Sequence, residues 1–224
     1  MKKILVIEDE DILREVVVDY LLNEGFEVLE APDGEIALEL FQSNSVDLII
    51  LDIVLPKLDG WSVCRRIRKN SSIPIIILTA RADEDDSLLG YELGADDYLV
   101  KPYNPRVLTA KVKRFLKIHP SSVDGMLISS SGIVVHLGSR LVSVDGNTIS
   151  LTHTEFEILA YLMQNKGLVI TREQLIAKIW GYDFYGDEKT INSHIRNLRA
   201  KLGARGKYIV TVIRSGYKFE EDQL

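Results

Sequence analysis

Apolar runs of strand length alternate with stretches of helical spacing through the first half of the chain. Residues 2–7 form a short β-rich run, and the acids Glu8, Asp9, Glu10 and Asp11 follow it directly. Over residues 12–23, Ile12, Val16 and Tyr20 recur four apart, with Leu13, Val17 and Leu21 beside them, which predicts a helix that Gly25 stops. Residues 26–31 give a second strand. Asp33 is placed to cap a helix to about Gln42 whose Ile36, Ala37, Leu40 and Phe41 turn inward. Leu48 to Leu51 is an unbroken apolar run that ends in Asp52. Such a run reads as a strand buried on both faces of a parallel sheet. A helix from about Gly60 follows, then a strand over 75–78 ending at Thr79 and a helix over 83–93 closed by Gly94. A strand over 98–100 ending at Lys101-Pro102 and a helix over 104–118 complete the series. Five alternating β and α elements predict an α/β doubly wound, five-stranded parallel sheet.

After residue 118 the pattern changes. Residues 119–125 hold Pro, Ser and Gly without periodicity and read as a linker between a domain over 1–118 and another over 126–224. Short β-like segments follow over 126–129, 133–137, 141–144 and 148–151, with Asp145-Gly146 as a hairpin signal. They predict a small antiparallel sheet. Thr152-His153-Thr154-Glu155 and Thr171-Arg172-Glu173-Gln174 fit capping boxes that open helices to about Gln164 and about Trp180. Asp187 can cap a third helix to about Leu202. On it Ile191, Ile195, Leu198 and Leu202 make one apolar face, and Lys189, Asn192, Ser193, Arg196, Asn197 and Arg199 lie off that face. Residues 208–212 and 217–220 suit a hairpin across Arg214-Ser215-Gly216. The second domain is therefore α+β, three helices with a terminal hairpin. Its last helix could lie in a major groove, with Arg and Lys on phosphates and Asn and Ser on base edges.

Composition changes this picture little. With 46% hydrophobic and 27% charged residues the chain is ordinary for a globular protein. Its apolar runs are far shorter than the ~20 residues that cross a bilayer, so no membrane contact and a cytoplasmic location are expected. A single cysteine, Cys64, excludes an intramolecular disulfide and a cysteine zinc site. Charge is more informative. Residues 1–118 carry 15 basic and 22 acidic groups, whereas residues 185–218 carry 8 basic and 2 acidic ones. That basic stretch favours a nucleic-acid contact near the C-terminus, a solvated charged surface being the plain alternative. The basic group Arg65, Arg66, Arg68 and Lys69 reads as a solvated helix face.

Carboxyl ends of parallel strands are where such sheets place their chemistry. A strand order 2-1-3-4-5 would bring Glu8, Asp9 and Asp52 together. Carboxylates that share a small volume raise one another's pKa, and a hard divalent cation with oxygen ligands, Mg²⁺, relieves the conflict. Lys101 adds a positive charge and Thr79 a hydroxyl. Together these groups suit phosphoryl transfer to an anionic nucleophile. No Gly-x-Gly-x-x-Gly follows the first strand, which disfavours a dinucleotide site.

Ile7-Glu8-Asp9-Glu10, Leu51-Asp52 with Leu55-Pro56 and Asp59-Gly60, Leu78-Thr79-Ala80-Arg81, and Gly94-Ala95-Asp96-Asp97-Tyr98-Leu99-Val100-Lys101-Pro102-Tyr103 together resemble the signature of bacterial response-regulator receiver domains. The resemblance implies that Asp52 accepts a phosphoryl group from a sensor histidine kinase. It implies that Glu8, Asp9, Asp52 and the Val54 backbone carbonyl hold Mg²⁺, that Lys101 pairs with the phosphoryl oxygens, and that Thr79 and Tyr98 form the switch. The second half resembles the winged-helix effector domain of the OmpR/PhoB subfamily. The matching residues include Leu151-Thr152, Glu155-Phe156, Thr171-Arg172-Glu173, Trp180-Gly181-Tyr182, His194-Ile195, Leu198-Arg199, Lys201-Leu202 and Gly216-Tyr217.

This second resemblance implies a transcriptional regulator, not an enzyme with a turnover substrate, acting as a homodimer on paired half-sites of double-stranded DNA, with RNA polymerase as a further partner. The expected DNA contacts are Lys189, Thr190, Asn192, Ser193, His194, Arg196, Asn197, Arg199 and Arg214. Where the family has Arg or Trp and then Gly at the wing, this chain has Ile213-Arg214. Dimerisation is expected through the face of the fourth helix, fifth strand and fifth helix, with Leu88, Tyr91, Asp97, Ala110 and Lys111. The Lys and Glu that usually bridge that face are replaced by Ser87 and Val107, so the contact should lean on apolar groups. Two other classes compete with this reading. One is a phosphatase of the haloacid-dehalogenase type, suggested by Asp9-Glu10-Asp11 but opposed by Leu13. The other is a C-terminal domain that binds protein.

Overall fold

The computed structural model describes residues 1–80, 89–116, 127–181 and 189–221. The chain divides into two compact units, Met1–Ile118 and His119–Leu224. The expected linker over 119–125, the capping residue Asp187, and Ser87 and Leu88 lie outside the described residues.

The first unit is a parallel sheet of β1 (Lys3–Ile7), β2 (Glu27–Ala31), β3 (Leu48–Asp52), β4 (Ile75–Thr79) and β5 (Asp97–Val100), in the order β2-β1-β3-β4-β5. Its helices are α1 (Asp11–Asn23), α2 (Gly34–Ser43), α3 (Gly60–Arg68), the helical residues 89–92 (α4), and α5 (Pro105–Leu116). The central strands are apolar throughout because both faces are covered. Leu5, Ile7, Ile49, Leu51, Ile75 and Ile77 pack with Ala37 of α2 and Val63 and Ile67 of α3. The alternate residues Ile4, Val6, Leu48, Ile50, Ile76 and Leu78 pack with Val17 and Leu21 of α1 and Leu108 and Val112 of α5. Each side chain fully withdrawn from water in this way contributes about 1.5–3 kcal/mol. Asp33 caps α2, its Oδ1 accepting from the amides of Glu35 and Ile36 at 2.9 Å. Asp59 caps α3 through the Ser62 amide.

Arg68 departs from the solvated face expected of it. Its guanidinium turns inward, donating to the carbonyls of Gly94 and Ile73 and to Asp96 Oδ2 at 2.8, 2.6 and 2.8 Å. One side chain thereby ties the end of α3 to the entries of β4 and β5.

The second unit opens with an antiparallel meander of β6 (Leu127–Ser130), β7 (Ile133–His136), β8 (Leu141–Val144) and β9 (Asn147–Ile149). Helices α6 (His153–Gln164), α7 (Arg172–Ile179) and α8 (Lys189–Leu202) follow, and the hairpin β11 (Ile209–Val212) and β12 (Gly216–Phe219) closes the unit. Both expected capping boxes form, at Thr152 with Glu155 and at Thr171 with Gln174. A strand that the sequence pattern did not suggest, β10 (Ile170–Thr171), pairs with β12 and gives the hairpin a third member. The expected helical face of Ile191, Ile195, Leu198 and Leu202 is buried against α6 and α7 together with Phe156, Leu159, Leu175 and Trp180. Among the described residues no helix is long and apolar enough to cross a membrane.

Candidate functional site

The strand order puts the carboxyl ends of β1 and β3 side by side, with Ile7 opposite Leu51. Glu8 leaves β1 and Asp52 ends β3. Oxygen atoms of Glu8, Asp9 and Asp52 lie within 4.8 Å of one another, Glu8 and Asp52 buried and Asp9 exposed. β4 ends on the other side of β3 with buried Thr79, and Lys101 follows β5, its amide donating to the Thr79 carbonyl at 2.7 Å. The Lys101 ammonium reaches into the acidic group. It hydrogen-bonds Asp52 Oδ2 and stands 2.9 and 2.7 Å from the two oxygens of Glu8. The Val54 amide donates to Asp52 Oδ1 at 3.0 Å. Tyr98 is half-buried on the α3 side of the sheet. Glu8, Asp9, Asp52, Thr79 and Lys101 thus come from four strand ends into one corner.

Electrostatics in this corner are unbalanced. Burial pushes the Glu8 carboxyl up to about 7, with the Asp52 charge adding to the rise and Lys101 opposing it. Burial works against the Lys101 ammonium as well, but its hydrogen bonds to Asp52 and Glu8 prevail and hold it above the usual lysine range. Three carboxylates facing one lysine leave net negative charge and only oxygen donors. That donor set fits a hard divalent cation such as Mg²⁺ and would not suit a soft metal. Arg14, which sequence reasoning passed over, steadies the loop by donating to the Glu8 carbonyl at 2.7 Å.

On the effector unit the candidate DNA contacts separate into two groups. Asn192, Arg196 and Arg214 are exposed and Asn197 is half-buried. Thr190, Ser193 and His194 retain only 2, 6 and 0% of their accessible surface. These three are corrected: side chains turned into the core present no donor to a base edge. His194 packs its ring 5.5 Å from that of Trp180. Arg199 is corrected in role. Its Nε and Nη2 donate to the Ile209 carbonyl at 3.0 and 2.5 Å, and Nη2 also reaches Thr211 Oγ1 at 2.8 Å. It fastens α8 to β11. Lys189 opens α8, and its side chain lies outside the described residues. Tyr217, absent from the expected contacts, donates its hydroxyl to Asn192 Oδ1 at 2.6 Å and orients that amide. At the hairpin tip Arg214 takes φ +61°, and Ile213 beside it is exposed.

The expected dimer residues also divide. Ala110 is exposed, but Tyr91 is buried. Asp97 is fully buried and bonded within its own unit to Lys111 at 2.8 Å and Arg114 at 2.7 Å. Asp97 thus pairs with Lys111 within one chain, and Tyr91 is 3% exposed.

A doubly wound sheet with this acidic corner, in tandem with a winged-helix unit, defines a response regulator with a DNA-binding output. Comparison with known proteins agrees. Residues 4–113 match the family described as response regulator receiver domain, and residues 146–219 match transcriptional regulatory protein, C terminal. An uncharacterized transcriptional regulatory protein of Bacillus subtilis, YclJ, is 41% identical over 98% of this chain and 100% of its own length. The sensory transduction protein RegX3 of Mycobacterium tuberculosis is 40% identical with the same coverage. Among solved structures, DrrB of Thermotoga maritima, an OmpR/PhoB homolog, is 31% identical with a TM-score of 0.53 over 98% of this chain and 99% of that one. The chain belongs to the OmpR/PhoB-type response regulators, and is a transcriptional regulator of a two-component system.

Proposed function

We propose that Asp52 is the phosphoacceptor and that its phosphorylation controls dimerisation and DNA binding. One observation carries the reading: the Asp52 carboxylate sits at the mouth of a buried strand with Glu8, Asp9, Lys101 and Thr79 around it. In the reaction an Asp52 oxygen attacks the phosphorus of a kinase phosphohistidine. The P–O bond forms as the P–N bond breaks, and the imidazole leaves with the bonding pair and takes up a proton. Glu8, Asp9, Asp52 and the Val54 carbonyl would hold Mg²⁺, which when bound supplies charge neutralisation for the phosphoryl oxygens. Lys101 is already at Asp52 and exchanges its carboxylate contact for a phosphoryl one. Thr79 adds a hydroxyl hydrogen bond, and Tyr98 moves with it.

The added charge of about −1.5 to −2 then alters the face of α4, β5 and α5. Two copies pair there and set two α8 helices on successive half-sites, with Asn192, Arg196 and Asn197 at the major groove and Arg214 at the wing. RNA polymerase is the downstream partner. Incubation with acetyl phosphate and Mg²⁺, read by intact mass, tests the acceptor. The native chain should gain one phosphoryl group and the Asp52→Asn variant none. Equal gain in both would place the acceptor elsewhere.

A further inference from the structure

The loop between β3 and α3 carries Val54, and three features hold that loop in place. At its far end the Gly60 amide donates to the Ile53 carbonyl at 3.0 Å, and the Gly60 α-carbon presses so closely on the Asp52 backbone that a Cβ there would overlap the Asp52 carbonyl. In its middle the Leu58 amide donates to the Pro56 carbonyl at 2.7 Å. This closes a γ-turn with Lys57 at its centre, at φ +63°. Turns of that hand are rare and strained, and a side chain at positive φ adds to the strain. The third feature is the Lys57 side chain. Its Nζ crosses to α2 and bonds Asp33 Oδ2 at 2.5 Å.

The anchor for that tether is rigid. Asp33 has 5% of its side chain exposed, and its other oxygen is the N-cap of α2. The next residue, Gly34, has no room for a Cβ because the Leu58 carbonyl and side chain occupy the space. Leu55 and Pro56 join the tether to Val54. Proline fixes its own φ and restricts the residue before it, which narrows the freedom of the chain between Lys57 and Val54.

We propose that Lys57 and Asp33 are positioning residues for the phosphoacceptor loop: their ion pair holds the turn at Lys57 and thereby sets Val54 over Asp52. The consequence is control of the site's affinity for Mg²⁺ and of the lifetime of the phosphoryl group. This rests on the phosphoacceptor reading of Asp52. Lys57 keeps 53% of its side chain exposed, so the tether is weak enough to be tuned and is screened by salt.

The test uses the full chain and four variants. Lys57→Met and Asp33→Asn each delete the pair, the second while keeping a good N-cap. Lys57→Arg keeps the charge, and Lys57→Gly deletes the tether while relieving the turn. Calorimetric titration with Mg²⁺ should show affinity about two- to fivefold weaker for Lys57→Met, Asp33→Asn and Lys57→Gly, the range a partly exposed ion pair supports. The double variant Lys57→Met/Asp33→Asn should be no weaker than either single. Lys57→Arg should match the native chain, and the gap should close as salt is raised. The half-life of acetyl-phosphate-loaded protein should shift in the same variants. Native Mg²⁺ affinity and half-life in both Lys57→Met and Asp33→Asn would overturn the proposal, as would single effects that add in the double variant. A native chain that binds Mg²⁺ but takes no phosphoryl group at Asp52 would instead overturn the acceptor reading, and the Mg²⁺ titrations would still decide the tether.

Discussion

Glu8→Gln should stabilise the metal-free protein, and the size of the effect follows from the site. Glu8 is fully buried, and its carboxyl is pushed up to about 7 from an ordinary value of 4.5. Below the ordinary value, Glu8 is protonated in folded and unfolded chains alike and folding is unaffected. As pH rises the unfolded chain ionises first. The folded state therefore loses stability steadily until its own carboxyl ionises near pH 7, and above that the loss is constant. At 1.36 kcal/mol per pH unit it reaches about 3 kcal/mol at pH 8 and under about 1 kcal/mol at pH 5. Glutamine keeps the shape and an acceptor for Lys101 without the charge. For a unit of this size about 3 kcal/mol corresponds to roughly 10 °C in the receiver transition. Calorimetry in EDTA should show the variant melting higher by that order at pH 8 and the two curves converging at pH 5. Mg²⁺ should raise the native transition strongly and the variant's little. Equal midpoints at pH 8, or a gap unchanged at pH 5, would show that Glu8 bears no burial penalty and would remove the electrostatic argument for a cation at this corner.

Lys101→Ala should still accept a phosphoryl group from acetyl phosphate yet show no phosphate-dependent gain in a gel shift, because the contact that conveys the charge is gone. Arg199→Met removes three hydrogen bonds between α8 and the hairpin and should lower the urea stability of the effector unit by about 2–3 kcal/mol, leaving the salt slope of DNA binding unchanged. Arg196→Ala should do the reverse, reducing that slope by about one with little effect on stability. Dimerisation of the beryllofluoride-activated chain, followed by sedimentation, should vary less than about threefold between low and moderate salt, whereas a charge-bridged face would weaken steeply.

How far the sequence reveals this protein depends on how local each cause is. The central strands are legible because burial on both faces leaves an unbroken apolar run, and Asp52 is conspicuous as the acid that ends one. The capping boxes are legible because both partners lie three residues apart. The pairs that fasten the site are not. Lys57 and Asp33, Arg68 and Asp96, or Arg199 and the Ile209 carbonyl meet only after the chain has folded, and nothing near any of them in sequence marks a partner. Helix α8 shows a different failure. Polarity sorted Ser193 to its outer side and the family resemblance added Thr190 and His194 as contacts, but the buried arc is wider than the four aliphatic residues suggest. Small hydroxyl residues fit its margin, and the His194 ring is taken up by Trp180. Strand β10, two residues long, is too short for any periodicity to register.

Asp97 shows why the output of this regulator should differ from one stitched by charges. Its carboxylate is fully buried between Lys111 and Arg114 of the same unit. An intermolecular bridge from it would require breaking those contacts and rebuilding equivalent ones across the interface. Such an exchange conserves the number of bonds and yields little net free energy, while transiently leaving a buried charge unpaired is expensive. Among the described residues the same elements expose the aliphatic Leu89, Val100 and Val107, the last at 44%, beside the charged Glu92, Arg106 and Lys113. Burying the aliphatic groups gains about 25 cal/mol per Å² without any partner geometry to satisfy. Phosphorylation at Asp52 would then act by adjusting how those aliphatic groups are presented, with Asp97, Lys111 and Arg114 as the fixed frame on which they move.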